Sequence, residues 1–307
     1  MTLDQLNCFV ALARVGHFTR AANEVGIAQP SFSRQIAALE KAVGVRLFDR
    51  TPGAVELSAA GEALLPVAAR MIADRATAYR RIDELTGLTR GRLRLGATPS
   101  LCTTLVAEVL DRYRTAYPGV DLLVAEAGSR TLTTRLARGE LDVALVIAEQ
   151  TDHTPGLDLT PILREELVVV SSTDHPAPAV HRTLTLMELA ALPLVLCHDG
   201  YDLRVVLDQA LAAASLEPRI VLEGAELGAV LRFVARGIGV TVAPAMAALH
   251  YPGLRATRLT SPELHRTIVF AHRADLAPSH AAVAFRTLVG DAVDVLIADD
   301  DVAFERP

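Results

Sequence analysis

Two hydrophobic periodicities meet near residue 91, and no single layer of secondary structure satisfies both. Before that point apolar residues recur every three or four positions, the repeat of amphipathic helices. Beyond it, apolar runs of strand length (92–97, 120–126, 142–147, 166–171, 193–197, 219–222, 239–243, 266–271) alternate with helical stretches. Helical periodicity fills 102–116, 130–138, 202–215, 226–236 and 278–296. This alternation predicts α/β layers with largely parallel strands behind a helical front. The chain has 307 residues, 51% of them apolar, enough for two or more units with their own cores.

The front resolves into short helices. Leu3, Leu6, Phe9, Val10, Leu12 and Ala13 mark the buried face of the first, which Gly16 stops. Thr19 can cap a second, Arg20 to Val25, closed by Gly26. Pro30 suits the first turn of a third, which Phe32, Ile36 and Leu39 carry to about Val43. Residues 46–50, the turn Thr51-Pro52-Gly53 and Val55-Glu56-Leu57 read as a two-stranded hairpin. Ser58 caps a long helix to about Leu88, with Glu62 favouring its dipole and Pro66 an expected kink. Its stripe of Leu64, Ala68, Met71, Arg75, Ala78, Ile82 and Leu85 is heptad-like. That stripe suits packing on its own domain or a helix–helix dimer, and the charged remainder of the helix favours the dimer.

Residues 18–37 fit a helix-turn-helix. Ala22 is small where two helices cross, Gly26 stands in the turn, and Phe32 packs the second helix back. Gln29, Ser31, Ser33, Arg34 and Gln35 suit base edges and phosphates, and equally an ordinary solvated face. Charge is divided the same way. Residues 1–94 hold 13 basic and 9 acidic side chains, and the remainder holds 17 and 27. A basic front on an acidic body fits phosphates at one end only.

Other classes fall away. Cys8, Cys102 and Cys197 are too few and too scattered for a disulfide framework or a Cys-rich zinc site. No apolar run reaches the ~18 residues of a membrane span, and Met1–Gln5 does not open a signal peptide. The expected compartment is the cytoplasm. No serine elbow, zinc-protease motif or phosphate loop is present. Gly237-Ile238-Gly239 precedes its strand instead of following it, against dinucleotide binding. His153, His175 and His181 lack metal-ligand spacing. An enzyme is not expected, nor a cofactor or metal.

Several runs are specific: Gly16-His17-Phe18-Thr19-Arg20-Ala21-Ala22, Gln29 to Ile36, Leu47-Phe48-Asp49-Arg50 and Leu57-Ser58-Ala59-Ala60-Gly61. With Gly139 to Leu145 and Gly237 to Pro244, they resemble the LysR-type transcriptional regulators over nearly the whole chain. The resemblance implies an α/β protein with a winged helix-turn-helix over 1–58 and a dimerising linker helix over 59–90. It further implies a two-lobe, periplasmic-binding-protein-like effector domain over 91–300. Lobe one would span 91–163 and 266–300, lobe two 164–265, with an acidic tail at 301–307. Implied partners are promoter DNA, a small-molecule effector, RNA polymerase and further copies of the chain, as homodimer or homotetramer.

Mapped by the resemblance, DNA falls to Thr19, Arg20, Gln29, Pro30, Ser31, Ser33, Arg34 and Arg50. The wing departs from many relatives. Its tip carries no basic residue, Glu56 follows, and Arg50 is the one basic group nearby, so weaker minor-groove readout is expected. The effector falls to Thr98, Ser100, Gly128, Ser129, Ile147, His198, Gly200, Tyr201 and Thr241, mostly loops between strand ends and helix N-termini. Thr98 and Ser100 also read as helix caps, and His198 as a surface-loop histidine. Amide-rich loops and Arg130 suggest a small carboxylate-bearing metabolite. Cys102 and Cys197 admit a redox sensor beside the simpler reading of buried apolar cysteines.

Overall fold

The computed structural model describes residues 1–51, 54–84, 91–148, 155–178, 183–249, 251–298 and 304–307. It divides into two compact units, each described by itself below.

The N-terminal unit opens with helix α1 (Leu3–Val15), capped by a Thr2–Gln5 capping box. Helix α2 (Phe18–Val25) starts one residue before Thr19. Thr19 therefore lies inside the helix; His17 holds the cap position and supplies no side-chain bond. Gly26 ends α2 at φ +77°, the left-handed turn that a side chain would strain. Helix α3 (Gln29–Val43) begins with Pro30 in its first turn. Strands β1 (Phe48–Thr51) and β2 (Ala54–Leu57) form the antiparallel hairpin, and helix α4 (Ala59–Glu84) follows. Ser58 caps α4 as expected, accepting from the Gly61 amide at 3.1 Å. Pro52, Gly53 and the expected helix end at 85–88 lie outside the described residues.

This unit closes over Phe9, Leu12, Ala22, Phe32, Ile36 and Leu39, all essentially inaccessible. Phe9 packs on Phe48 at 5.4 Å between ring centroids, and Phe18 meets Phe32 edge-on at 6.1 Å. Each such side chain contributes about 1.5–3 kcal/mol on burial. Glu40 on α3 accepts the Leu47 and Phe48 amides, which holds the hairpin to that helix.

The second unit begins with β3 (Gly91–Ala97), α5 (Pro99–Leu101), a π-helical turn (Cys102–Val106) and α6 (Ala107–Ala116). There follow β4 (Val120–Glu126), α7 (Ser129–Ala137), β5 (Val143–Ile147) and β6 (Leu157–Ser172). Next come β7 (Thr183–Thr185), α8 (Leu186–Ala191), β8 (Leu194–Cys197), α9 (Asp202–Ala213), β9 (Ile220–Ala225) and α10 (Leu227–Ala235). The chain finishes with β10 (Thr241–Pro244), α11 (Ala245–Leu249), β11 (Leu254–Thr260), β12 (Leu264–Arg273), α12 (His280–Ala298) and β13 (Phe304–Glu305).

The strands are not largely parallel. β3 pairs parallel with β4 and β5, and β8 with β9. The long β6 and β12 run antiparallel to each other, and β12 to β5, while β10 and β11 flank β6 antiparallel. Parallel strands need a crossover connection of a dozen or more residues, so periodicity reads them well. The two long strands instead carry the chain across between two sheet regions, one around β3–β5 and one around β10 and β11. β5 reads as unbroken Val-Ala-Leu-Val-Ile because both of its faces are covered.

The glycine motifs prove structural. A Cβ on Gly239 would stand 2.3 Å from the Pro193 carbonyl oxygen, so only glycine lets β10 begin beside β8. In Gly139–Asp142, the Asp142 carboxylate accepts from the Arg94 backbone at 2.9 Å and its guanidinium at 2.6 Å. The acidic tail is not wholly solvated: Phe304 is 7% exposed and β13 pairs with β6. Its neighbours Asp299–Asp301 lie outside the described residues. Among these residues no helix is long and apolar enough to cross a membrane.

Candidate functional site

The helix-turn-helix presents one polar face. Gln29, Pro30 and Arg34 are exposed on the first turns of α3, and Ser31 and Ser33 are half-buried beside them. The buried Phe32 and Ile36 fix which side of the helix faces outward. Gln29 donates to Ser33 Oγ at 3.2 Å, and Arg34 Nη2 to Ser31 Oγ at 3.2 Å. These bonds tie donors and acceptors into one short row. Thr19 and Arg20 are exposed at the start of α2, where Arg20 also holds the Val15 carbonyl. Arg50 lies in β1 opposite Val55.

The second unit contains a cavity of about 250 Å³. Its walls come from the carboxyl ends of β3, β4, β5, β8 and β9, where α/β folds place ligands. Thr98, Ser100, Gly128, Ile147, His198, Gly200 and Tyr201 line the cavity.

Two other expected residues do different things. Ser129 is fully buried and bridges the lobes. Its Oγ donates to Asp202 Oδ2 at 2.6 Å and accepts the Ile147 amide at 3.0 Å. Thr241 is not among the lining residues. β10 is buried along its whole length against β6, and Thr241 Oγ1 turns to the Val242 carbonyl. Arg130, the basis for a carboxylate ligand, is exposed and also lines no part of the cavity.

Arg266 was not expected. It is 6% exposed on β12 and donates through Nε to Glu165 Oε2 at 2.8 Å and through Nη1 to Ser100 Oγ at 2.7 Å. Its Nη2 is also 2.7 Å from Glu165 Oε2, within the same ion pair. Thr98 Oγ1 is buried without a hydrogen-bond partner, and the buried Tyr201 hydroxyl lies beside Ser100. Thr98 occupies the cap position of α5 but makes no cap bond, which sets aside its helix-cap reading. Burial pushes the Tyr201 phenol far up, so it remains a protonated donor. Buried polar groups are nearly always paired in folded proteins. Thr98 Oγ1, on the cavity wall, is an exception. His198 also belongs to the wall: its ring meets Tyr201 edge-on at 5.7 Å, and Nε2 is 3.3 Å from Glu226. The signal for Arg266 was a charge opening one apolar run, with Glu165 and Glu166 opening another.

Burial disfavours the thiolate at both effector-domain cysteines, Cys102 and Cys197. Burial, helped by Glu126, pushes Cys102 up to about 11; burial and Glu226 push Cys197 up to about 12. The thiolate is the reactive form, so both are inert at neutral pH. Alkylation of the native protein at pH 7 should run at least about a hundredfold slower than that of a free cysteine of pKa near 8.5. The rate should climb only as pH approaches 11. A thiol labelled at the free rate at neutral pH would reopen the redox reading.

A winged helix-turn-helix with a two-lobed cavity domain defines a DNA-binding protein built to answer a ligand. Residues 3–62 match the bacterial regulatory helix-turn-helix proteins of the lysR family, and residues 86–294 match the LysR substrate binding domain. The chain belongs to the LysR family of bacterial transcriptional regulators. It is 32% identical over 271 residues to the uncharacterized HTH-type transcriptional regulator YybE of Bacillus subtilis (strain 168), covering 88% of this chain and 92% of that one. Full-length OxyR C199D from Pseudomonas aeruginosa is 25% identical, with a TM-score of 0.69 over 95% of this chain and 94% of that one. Full-length CbnR complexed with its target DNA shares the fold, with a TM-score of 0.67, 23% identity, and coverage of 95% and 100%. The relatives are transcriptional regulators rather than enzymes.

Proposed function

We propose that this regulator binds promoter DNA through α3 and answers a small carboxylate-bearing metabolite held between its lobes. The observation that carries the reading is the convergence of Thr98, Tyr201 and Arg266, polar side chains buried on the wall of one cavity. Ser100 adds a hydroxyl that accepts from Arg266. A carboxylate would meet hydrogen-bond donors there, and charge-assisted bonds are the strong ones.

On DNA, Gln29, Pro30, Ser31, Ser33 and Arg34 read the major groove, while Thr19, Arg20 and Arg50 hold the backbone. The domain limits are those of the resemblance: 1–58, 59–90 and 91–300, with the lobes dividing near residues 163 and 266. The chain acts as a homodimer or homotetramer through α4, whose Met71, Tyr79 and Ile82 are exposed. RNA polymerase is the partner such a promoter-bound oligomer would engage.

Selection of fragmented host DNA by the purified protein tests this. Enrichment of an interrupted palindrome upstream of a few genes is expected. Affinity for it should fall with salt at a logarithmic slope of about −0.9 per neutralised phosphate. A flat salt dependence, or no enrichment by the folded oligomer with candidate metabolites added, would sink the assignment.

A further inference from the structure

The cavity holds more than donors. Glu126, Asp202 and Glu226 also line it, and the Arg266 charge is balanced by Glu165. A second cavity of about 310 Å³ shares only Pro99, Glu126 and Glu226 with the first. Two carboxylates therefore stand where the chambers adjoin, while Thr98, Ser100, Tyr201 and Arg266 belong to the first chamber alone. Glu126 and Glu226 are exposed, so solvent screens part of their charge, but they leave one end of the chamber negative while the donors at the other end favour an anion.

We propose that the effector is a zwitterion: a short apolar amino acid with its carboxylate on the Arg266–Tyr201–Thr98 donors and its ammonium toward Glu126 and Glu226. The proposal rests on the cleft being the effector site. It meets both sets of wall charges with one molecule, and Ile147, Leu167 and Val206 supply the apolar surface for its side chain. Asp202 is already engaged by Ser129, which leaves the two glutamates as the ammonium partners. Glu226 lies 3.3 Å from His198 Nε2, so the imidazole would yield that carboxylate to an incoming ammonium.

The test is calorimetric titration of the full chain with the apolar L-amino acids, each beside its deaminated carboxylic acid and its decarboxylated amine. At least one amino acid should bind, with its deaminated acid weaker by about tenfold or more. In Glu126→Gln/Glu226→Gln that preference should shrink to about threefold or less. Acids that bind as tightly as their amino acids, or a panel in which no amino acid binds, would overturn the proposal. Val206→Phe, which fills the cavity, separates the two levels of failure. Acids that bind and are lost in Val206→Phe leave the cleft standing and remove only the zwitterion. Probes that bind Val206→Phe unchanged remove the cleft itself.

Discussion

Arg34→Ala is expected to abolish operator binding while leaving the oligomer and the melting curve unchanged. Arg34 is exposed, and its bond in the structure is to Ser31 one turn away, so its loss opens no cavity and orphans no buried group. Surface changes of that kind stay within about 0.5 kcal/mol of stability. Its contribution to recognition is larger, since a bidentate contact to a guanine edge discriminates by about 1–3 kcal/mol. On a two-fold operator the loss is incurred at both half-sites. Titration of labelled operator at several salt concentrations also says which contact is lost. A guanine contact leaves the salt slope unchanged and relaxes specificity at one base pair. A phosphate contact lowers the slope by about one and weakens all sequences alike. Unchanged affinity would place the recognition surface elsewhere.

Arg266→Met is expected to be the most damaging single change in the effector domain. It strips Glu165, which has no exposure, of its cation and leaves the carboxylate with the Met246 amide alone. Breaking a buried ion pair from one side costs about 3–5 kcal/mol, because the remaining charge is uncompensated. For a domain of this size that lowers the melting temperature by roughly 6–20 °C. The double variant Glu165→Leu/Arg266→Met removes the orphaned charge and should recover most of the loss, since apolar replacement of a whole buried pair is often neutral. Effector response should stay absent in both variants. Scanning calorimetry with and without the effector separates the two results. A single variant melting within about 1 kcal/mol of the parent would mean the pair does not carry this load.

The helical front was legible almost to the residue. Its Leu–Phe–Leu spacings, the Ser58 cap and the Pro30 start each act within one or two turns, so neighbouring residues carry the information. The exception is Thr19, where the helix starts two residues early, at Phe18, and no cap bond forms. The alternation after residue 91 likewise predicted most strands. Many cleft residues lie at strand ends legible in the sequence, Thr98, Ser100, His198, Gly200 and Tyr201 among them.

The sequence by itself therefore determined the class of each element and the loops that could hold a ligand. Tertiary structure alone decided the rest: the antiparallel run of β6 beside β12, the removal of Thr241 from the cavity wall, and the meeting of Glu165 with Arg266. Those two residues are 101 positions apart. Periodicity reports which face of a strand is buried but not which strand lies beside it, because strand partners are set by distant pairings that leave no mark within a single segment. The polar groups on the cavity wall come together only after that pairing is made.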